Sequence, residues 1–177
     1  LYLVSLKIPS MKQNALVLTG LFYLVSSSVM ATESHCSKQE QIVFSCSLGK
    51  KIASVCASKD ISPTGGYLQY RFGKQNAPEL VFPASTESSS HRSDIQARTL
   101  MFSGGGGGYL RFINGKYNYI VYTAIGKGWG TKDGVSVEKD GKLIANLTCR
   151  DVPVSILGDE FFTRAGLAAD QDEFLLP

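Results

Sequence analysis

Histidine is scarce in this chain of 177 residues, which has only two copies. His35 lies in the segment before the first predicted strand, and His91 lies in the polar stretch ASTESSSHRSD, residues 84–94. A Ser-His-Asp triad needs a histidine that a third side chain holds in place, and neither position favours that. Acidic residues are scattered, and no spacing singles out a catalytic pair. We therefore predict a non-enzymatic protein without catalytic residues, with hydrolase activity as the enzymatic alternative.

Metal and cofactor motifs are also missing. The four cysteines contain no C-x-x-C pair, so a zinc site is not predicted. The glycines at 104–108 span five positions and no Gly-Lys-Ser/Thr follows them, which excludes a dinucleotide fingerprint and a P-loop. No Lys/Arg cluster runs along one element, as a nucleic-acid interface would require. We expect no metal, no cofactor and no nucleic-acid partner.

Only one long apolar run is present, and it lies within residues 11–31, MKQNALVLTGLFYLVSSSVMA. One lysine follows Met11, an apolar stretch covers 15–24, and Val29 and Ala31 fit the −3 and −1 positions of a signal-peptidase site. The stretch is shorter than the roughly 20 apolar residues of a membrane span. We predict that residues 1–31 are an N-terminal lead plus a signal peptide that starts at Met11, and a retained N-terminal anchor is the alternative.

Cleavage at this point would give a periplasmic or secreted protein of one domain, without a membrane span. Its charge is uneven, because residues 32–150 carry a formal charge of +6 and residues 151–177 carry −5. Such asymmetry indicates either a binding surface or a mixed solvated surface. We predict an antiparallel β domain over 32–150, and a short helix with an acidic tail over 151–177.

Strand patterns dominate the exported part. Short β-branched or aromatic segments are separated by turn residues, which is typical of an antiparallel sandwich or barrel. We predict strands at 41–47, 51–57, 67–72, 79–82, 97–102, 109–113, 117–125, 135–139 and 142–149. One helix is predicted within 158–170, followed by a frayed end. The expected fold is all-β, a small antiparallel β-barrel or sandwich with a short C-terminal helix.

The cysteines predict two disulfides, for which three pairings are possible in principle. Cys46 alternates onto one face of the first strand with Ile42 and Phe44. A wholly apolar face of the last strand carries Leu143, Ala145, Leu147 and Cys149. Both cysteines should therefore point into the core, and closure of a barrel would bring the first and last strands together. We predict Cys46–Cys149, which leaves Cys36–Cys56.

The segment MFSGGGGGYLRF, residues 101–112, places five glycines between two apolar runs. We interpret 103–109 as a glycine-rich loop that projects backbone N–H groups and a small side chain into a partner's cleft, and the alternative is a hairpin tip without a role. A second glycine-rich loop is predicted at GKGWGTKDG, residues 126–134. It contains the only tryptophan, Trp129, as either a lid over the barrel mouth or an exposed anchor at an interface.

Several short motifs follow one another between about residues 42 and 150: Phe44-Ser45-Cys46, Gly49, Ser103-Gly104, Tyr109, Lys127-Gly128 and Cys149. This order resembles the periplasmic and membrane-bound inhibitors of c-type lysozyme. Those proteins are small antiparallel β-barrels of Gram-negative bacteria. Their signature is Ser-Gly, a short gap and Tyr, followed by Lys-Gly.

In that family the serine-bearing loop enters the lysozyme cleft, where the serine and the lysine meet the catalytic carboxylates. The resemblance implies that Ser103 and Gly104 form the loop tip, Tyr109 is its packing anchor, and Lys127 is the cation. The implied partner is a lysozyme-type glycoside hydrolase. The gap from Ser103 to Tyr109 is longer than the family pattern, and Cys36–Cys56 lies outside it. The alternative is an envelope structural or small-ligand-binding module without inhibitory activity.

Overall fold

The computed structural model describes residues 33–87, 92–172 and 174–177. The predicted lead and signal peptide at 1–31 lie outside the described residues. Within the described ranges, no helix is both long and apolar enough to cross a membrane.

The described chain forms two β-sheets, which are antiparallel apart from one short parallel pair. The strands of the first part are β1 (Glu40–Ser47), β2 (Ile52–Ser58), β3 (Leu68–Lys74), β4 (Ala77–Phe82), β5 (Ile95–Phe102) and β6 (Gly105–Asn114). The remaining elements are β7 (Tyr117–Gly126), β8 (Gly130–Lys139), β9 (Lys142–Thr148), β10 (Val154–Ser155), helix α1 (Asp159–Arg164) and β11 (Ala168–Ala169). Sheet 1 has the order β10-β1-β2-β3-β4, and sheet 2 has the order β11-β5-β6-β7-β8-β9. Every predicted strand is present, and the architecture is sandwich-like rather than a closed barrel.

The core lies between the two sheets. Sheet 1 contributes Phe44 and Val55, and sheet 2 contributes Leu110, Phe112 and Val121, all of them fully buried. Strand alternation explains this arrangement, because every second residue faces the opposite sheet and loses its contact with water. Burial of each such side chain stabilises the fold by about 1.5–3 kcal/mol.

Two β-bulges change the predicted alternation of core-facing and solvent-facing side chains. The register of β1 against β2 shifts between Ile42 and Phe44, so that Val43 and Phe44 are both buried. The register of β9 against β8 shifts beside Val137, and Leu143 is 57% exposed. The prediction that Leu143 lies on the core face is wrong, because the bulge turns it outward while Ala145 stays half-buried.

Both predicted disulfides are confirmed, with Cα–Cα distances of 5.7 Å for Cys46–Cys149 and 5.3 Å for Cys36–Cys56. The reason given for the first pair is only partly right, because no barrel closes. Cys149 lies one residue beyond β9 and joins sheet 2 to β1 of sheet 1. The adjacent Arg150 N–H donates to the Ser47 carbonyl at 2.8 Å, so the backbone also crosses between the sheets there.

The C-terminal part differs from its prediction. The helix covers six residues instead of the range 158–170, because Gly166 takes a φ of +61° and reverses the chain. β11 then pairs with β5 in parallel. The prediction of a frayed end is wrong, because the described residues 170–172 and 174–177 include side chains that pack on the outer face of sheet 2. Phe174 inserts there, with ring centroids 5.0 Å from Tyr109 and 5.6 Å from Tyr122.

Glu40 is the centre of a partly buried polar network beside β3. Its carboxylate accepts hydrogen bonds from Arg71 at 2.5 and 2.9 Å, from the Tyr67 hydroxyl at 2.8 Å and from the Ser37 N–H at 2.6 Å. Burial alone would raise the pKa of Glu40, but the hydrogen bonds from Arg71, Ser37 and Tyr67 outweigh burial and lower the pKa to about 2. The carboxylate therefore stabilises the fold above its unfolded pKa, and this contribution is lost as the pH falls from about 4.5 to 2.

We expect Glu40→Gln to lower the free energy of unfolding at pH 7 by about 2–3 kcal/mol, because the ionised partner of Arg71 disappears. Urea denaturation at pH 7, 4.5, 3 and 2 checks this. The variant should lose less stability than the wild type between pH 4.5 and 2. Parallel stability curves for the two proteins over that range would show that Glu40 does not carry the acid sensitivity.

Candidate partner-binding site

Two tight turns lie side by side at one end of sheet 2. Ser103 and Gly104 connect β5 to β6, and residues 127–129 connect β7 to β8. Because β6 pairs with β7, these turns are neighbours, and a Cβ placed on Gly104 would lie 2.9 Å from the Lys127 Cβ. We call residues 101–105 and 125–130 the sheet 2 tip. The structure thus brings Ser103, Gly104, Lys127 and Trp129 together.

The predicted loop at 103–109 is wrong in its extent. Glycines 105–108 belong to β6 and pair with β5, and glycines 106–108 also pair with β7 on the other side. A Cβ on Gly105 would collide with the Ile125 carbonyl, and one on Gly107 with the Thr123 carbonyl. The glycines therefore let β7 approach closely, instead of giving the chain a flexible loop. The predicted loop at 126–134 is likewise only a three-residue turn, since β8 begins at Gly130.

Tyr109 does not belong to the tip. Its side chain is fully buried beneath the C-terminal segment, and its hydroxyl donates to the Asp172 carbonyl at 3.4 Å. Burial, together with the carboxylate of Asp170, raises the pKa of Tyr109 to about 12. Tyr109 packs against Phe174 within this chain, so its surface is not exposed to a partner, and its role as the packing anchor of the turn stays a prediction.

Trp129 lies on the outer face of sheet 2 and is 40% exposed. Its ring covers Gly126, where a Cβ would collide with the indole, and it meets the Phe102 ring edge-on at 5.7 Å. The Lys132 Nζ lies 5.5 Å from the indole centroid. The interpretation as a lid over a barrel mouth is wrong, because no barrel closes. The exposed part of the indole remains accessible to a partner.

The tip is apolar on both of its faces. Met101 and Ile125 lie on the same strand faces as the core residues Ala97 and Val121, yet they are 89% and 58% exposed. Sheet 1 therefore does not cover this end of sheet 2. On the opposite face, Phe102 adds a further exposed ring. Sequence analysis missed Met101, Phe102 and Ile125, although the apolar runs that continue up to both turns could have indicated them.

The tip carries positive charge. Lys127 is exposed, and it has no hydrogen bond or ion pair with any residue that the structure describes. Lys132, two residues beyond the tip, donates to the Pro177 carbonyl at 2.5 Å. No Asp or Glu occurs in residues 101–105 or 125–130. An acidic surface is therefore the complementary one.

The described ranges 33–87, 92–172 and 174–177 contain no group of three His, Cys, Asp or Glu side chains that could hold a metal ion. Neither a protein-family model, nor a curated protein, nor a solved structure matches this chain.

Proposed function

We propose that this exported protein is a non-enzymatic inhibitor of a lysozyme-type glycoside hydrolase, and that it inserts the sheet 2 tip into the enzyme's cleft. One observation carries the proposal. Ser103, Gly104 and Lys127 lie together at the end of a paired β-structure that is apolar on both faces and that sheet 1 leaves uncovered.

The chemistry of such a cleft suits the tip. Lysozyme-type enzymes cleave glycosidic bonds with two carboxyl groups that face each other across the cleft. The Lys127 ammonium would form a charge-assisted hydrogen bond with a carboxylate, and the Ser103 hydroxyl would donate a second hydrogen bond. Gly104, at a φ of +74°, adds no side chain that could keep the backbone away.

The walls of the cleft would contact the apolar faces of the tip. Met101 and Ile125 would face one wall, and Phe102 and Trp129 the other. Two short turns held by paired strands lose less conformational entropy on binding than a loop of seven residues would. The tip is therefore better preorganised than the glycine-rich loop that the sequence indicated.

Charge favours a particular kind of partner. Residues 32–150 carry +6, a total that includes Lys127, and the tip itself contains no Asp or Glu. A strongly basic hydrolase would be repelled, whereas an enzyme with an acidic cleft rim would be steered toward the tip. We therefore propose a partner with an acidic rim.

We expect residues 32–177 to inhibit at least one c-, g- or i-type lysozyme at micromolar concentration or below. Lys127→Ala should weaken inhibition by about tenfold or more, since a charge-assisted hydrogen bond is lost. Ser103→Asp should weaken it further, because a carboxylate would then face the catalytic carboxylates. Turbidity assays with cell-wall suspensions measure the inhibition constants.

Lys116→Ala is the matched control, because Lys116 is an exposed lysine in the β6–β7 turn at the opposite end of sheet 2. This substitution should leave inhibition unchanged. If it weakens inhibition as much as Lys127→Ala does, net charge and not the tip is responsible. If no lysozyme of the three types is inhibited, the proposed function is wrong.

A further inference from the structure

A second surface lies apart from the sheet 2 tip, where the core between the two sheets reaches solvent. It is an open groove lined by Leu48, Gly49, Lys50, Lys51, Phe72, Leu147 and Arg150. Leu48 and Phe72 pack against the main core and form an apolar floor together with Leu147. None of these residues belongs to the tip.

Two cations on the rim of this groove have no hydrogen-bond or ion-pair partner among the described residues. Lys51 forms an ion pair with Glu79 at 2.6 Å, and its Nζ lies 5.0 Å from the Phe72 ring centroid, so its charge is already matched. Lys50 and Arg150 are exposed, and neither side chain has a hydrogen bond or ion pair within the part of the chain that the structure describes. The groove therefore offers two uncompensated positive charges beside apolar surface.

The position of Arg150 is fixed by its surroundings. It follows the disulfide-bonded Cys149, and its N–H donates to the Ser47 carbonyl at 2.8 Å. Its side chain lies across Gly49, where a Cβ would be 3.0 Å from the guanidinium Nε. Because Gly49 has no side chain, the guanidinium can lie against the turn that also carries Lys50.

The nearest acidic residues do not neutralise this rim. Glu79 is already paired with Lys51. Asp133 and Asp151 line a separate depression together with Thr131 and Thr148. Arg150 also borders this depression but forms no ion pair with either carboxylate among the described residues. The Asp133 carboxylate also accepts a short hydrogen bond from the Thr123 hydroxyl. The complementary ligand of the groove is therefore an anion with an apolar part.

We propose that this groove binds a monoalkyl phosphate, with the alkyl chain on Leu48, Phe72 and Leu147 and the phosphate on Arg150 and Lys50. A guanidinium matches phosphate oxygens in a bidentate geometry. Two unpaired cations suit a phosphate, which carries up to two negative charges, better than they suit a singly charged carboxylate. Burial of the alkyl chain removes the apolar floor from water. The assignment is independent of lysozyme inhibition.

Octyl phosphate below its micelle concentration is the probe, titrated calorimetrically into residues 32–177 at low salt. We expect one binding site per chain. Arg150→Gln and Lys50→Gln should each weaken binding by about tenfold, because each removes a charge-assisted contact. Lys142→Gln is the matched control, since Lys142 is an exposed lysine at the far end of β9, and binding should not change. All three substituted side chains are exposed, so the variants should melt at the wild-type temperature.

Three comparison ligands divide the proposal into its parts. Octanoate should bind more weakly than octyl phosphate, and equal affinity would overturn the assignment of phosphate. Inorganic phosphate should bind more weakly as well, and equal affinity would remove the role of the apolar floor. If octyl glucoside, which has no charge, binds as tightly as octyl phosphate, the ligand is held by apolar contact alone and the role of the two cations is overturned. If octyl phosphate does not bind at millimolar concentration, or if Lys142→Gln weakens it like Arg150→Gln, the site is wrongly assigned.

Discussion

Removal of the Cys46–Cys149 disulfide by the double substitution Cys46→Ala/Cys149→Ala is expected to lower the free energy of unfolding by about 4–5 kcal/mol. The two cysteines are 103 residues apart in sequence. In the chain-entropy model, the cross-link of a loop of about 100 residues stabilises by about 4.7 kcal/mol, because it restricts the unfolded chain. This disulfide also joins sheet 1 to sheet 2, so its loss affects the packing of the whole sandwich.

The second disulfide provides the matched control. Cys36 and Cys56 are only 20 residues apart, so Cys36→Ala/Cys56→Ala should cost about 3 kcal/mol. Guanidinium denaturation of both variants, with the m-value fitted, measures the difference. If removal of Cys36–Cys56 lowers the free energy of unfolding more than removal of Cys46–Cys149 does, this expectation is contradicted. Local packing and not loop length would then determine how much each disulfide stabilises the fold.

Asp170→Ala is expected to lower the free energy of unfolding by about 3–4 kcal/mol. Arg111 is almost fully buried, and its Nε donates to the Asp170 carboxylate at 2.6 Å, while its Nη1 donates to Glu138 at 2.7 Å. Its Nη2 is buried without a hydrogen-bond partner among the described residues. Loss of Asp170 therefore leaves a buried cation still less compensated, and breaking one partner of a buried pair typically costs about 3–5 kcal/mol.

The position of this pair predicts a local effect as well. Asp172 and Phe174, just beyond Asp170, contact Tyr109, so amide hydrogen exchange of the C-terminal segment should rise in Asp170→Ala. The double variant Arg111→Met/Asp170→Leu should recover part of the lost stability, because it removes the buried cation together with Asp170. Glu138 loses Arg111 but keeps the hydrogen bond from Asn118 at 3.2 Å. A loss below 1 kcal/mol in Asp170→Ala, with unchanged exchange in 170–177, would show that the ion pair does not hold the segment.

The strands and disulfides could be predicted because their signals are local. Alternating apolar residues and turn residues such as Asn114-Gly115 define each strand from its own sequence. The burial of Phe44 and Cys46 on one side of β1 follows from the same alternation. The cysteine pairing then needs only the assumption that the apolar faces meet, whether in a barrel or in two sheets.

The structure differs from the prediction where contacts between residues far apart in the sequence determine it. Glycines 105–108 have a low intrinsic preference for strands, but β7 accepts no Cβ at Gly105 or Gly107. The burial of Arg111 in β6 depends on its partner Asp170, which lies 59 residues further along the chain. The bulge that exposes Leu143 also depends on the partner strand β8. No pattern within a short window contains these contacts.

Only some residues of the candidate site could be named from the sequence, because its other features depend on long-range contacts. Ser103, Gly104 and Lys127 could be named as candidates because they belong to the short motifs Ser-Gly and Lys-Gly of the resemblance. Their proximity depends on the pairing of β6 with β7. The apolar faces of the tip depend on where sheet 1 ends, which the sequence does not encode locally.

Competition for the cleft tests the central claim most directly. The affinity of residues 32–177 for an inhibited lysozyme should be measured with and without a chito-oligosaccharide that fills the cleft. If the sheet 2 tip occupies the cleft, the apparent Kd will rise in inverse proportion to the fraction of enzyme whose cleft is free of sugar. If the Kd is the same at saturating sugar, the protein binds elsewhere on the enzyme and the proposed insertion of the tip is contradicted.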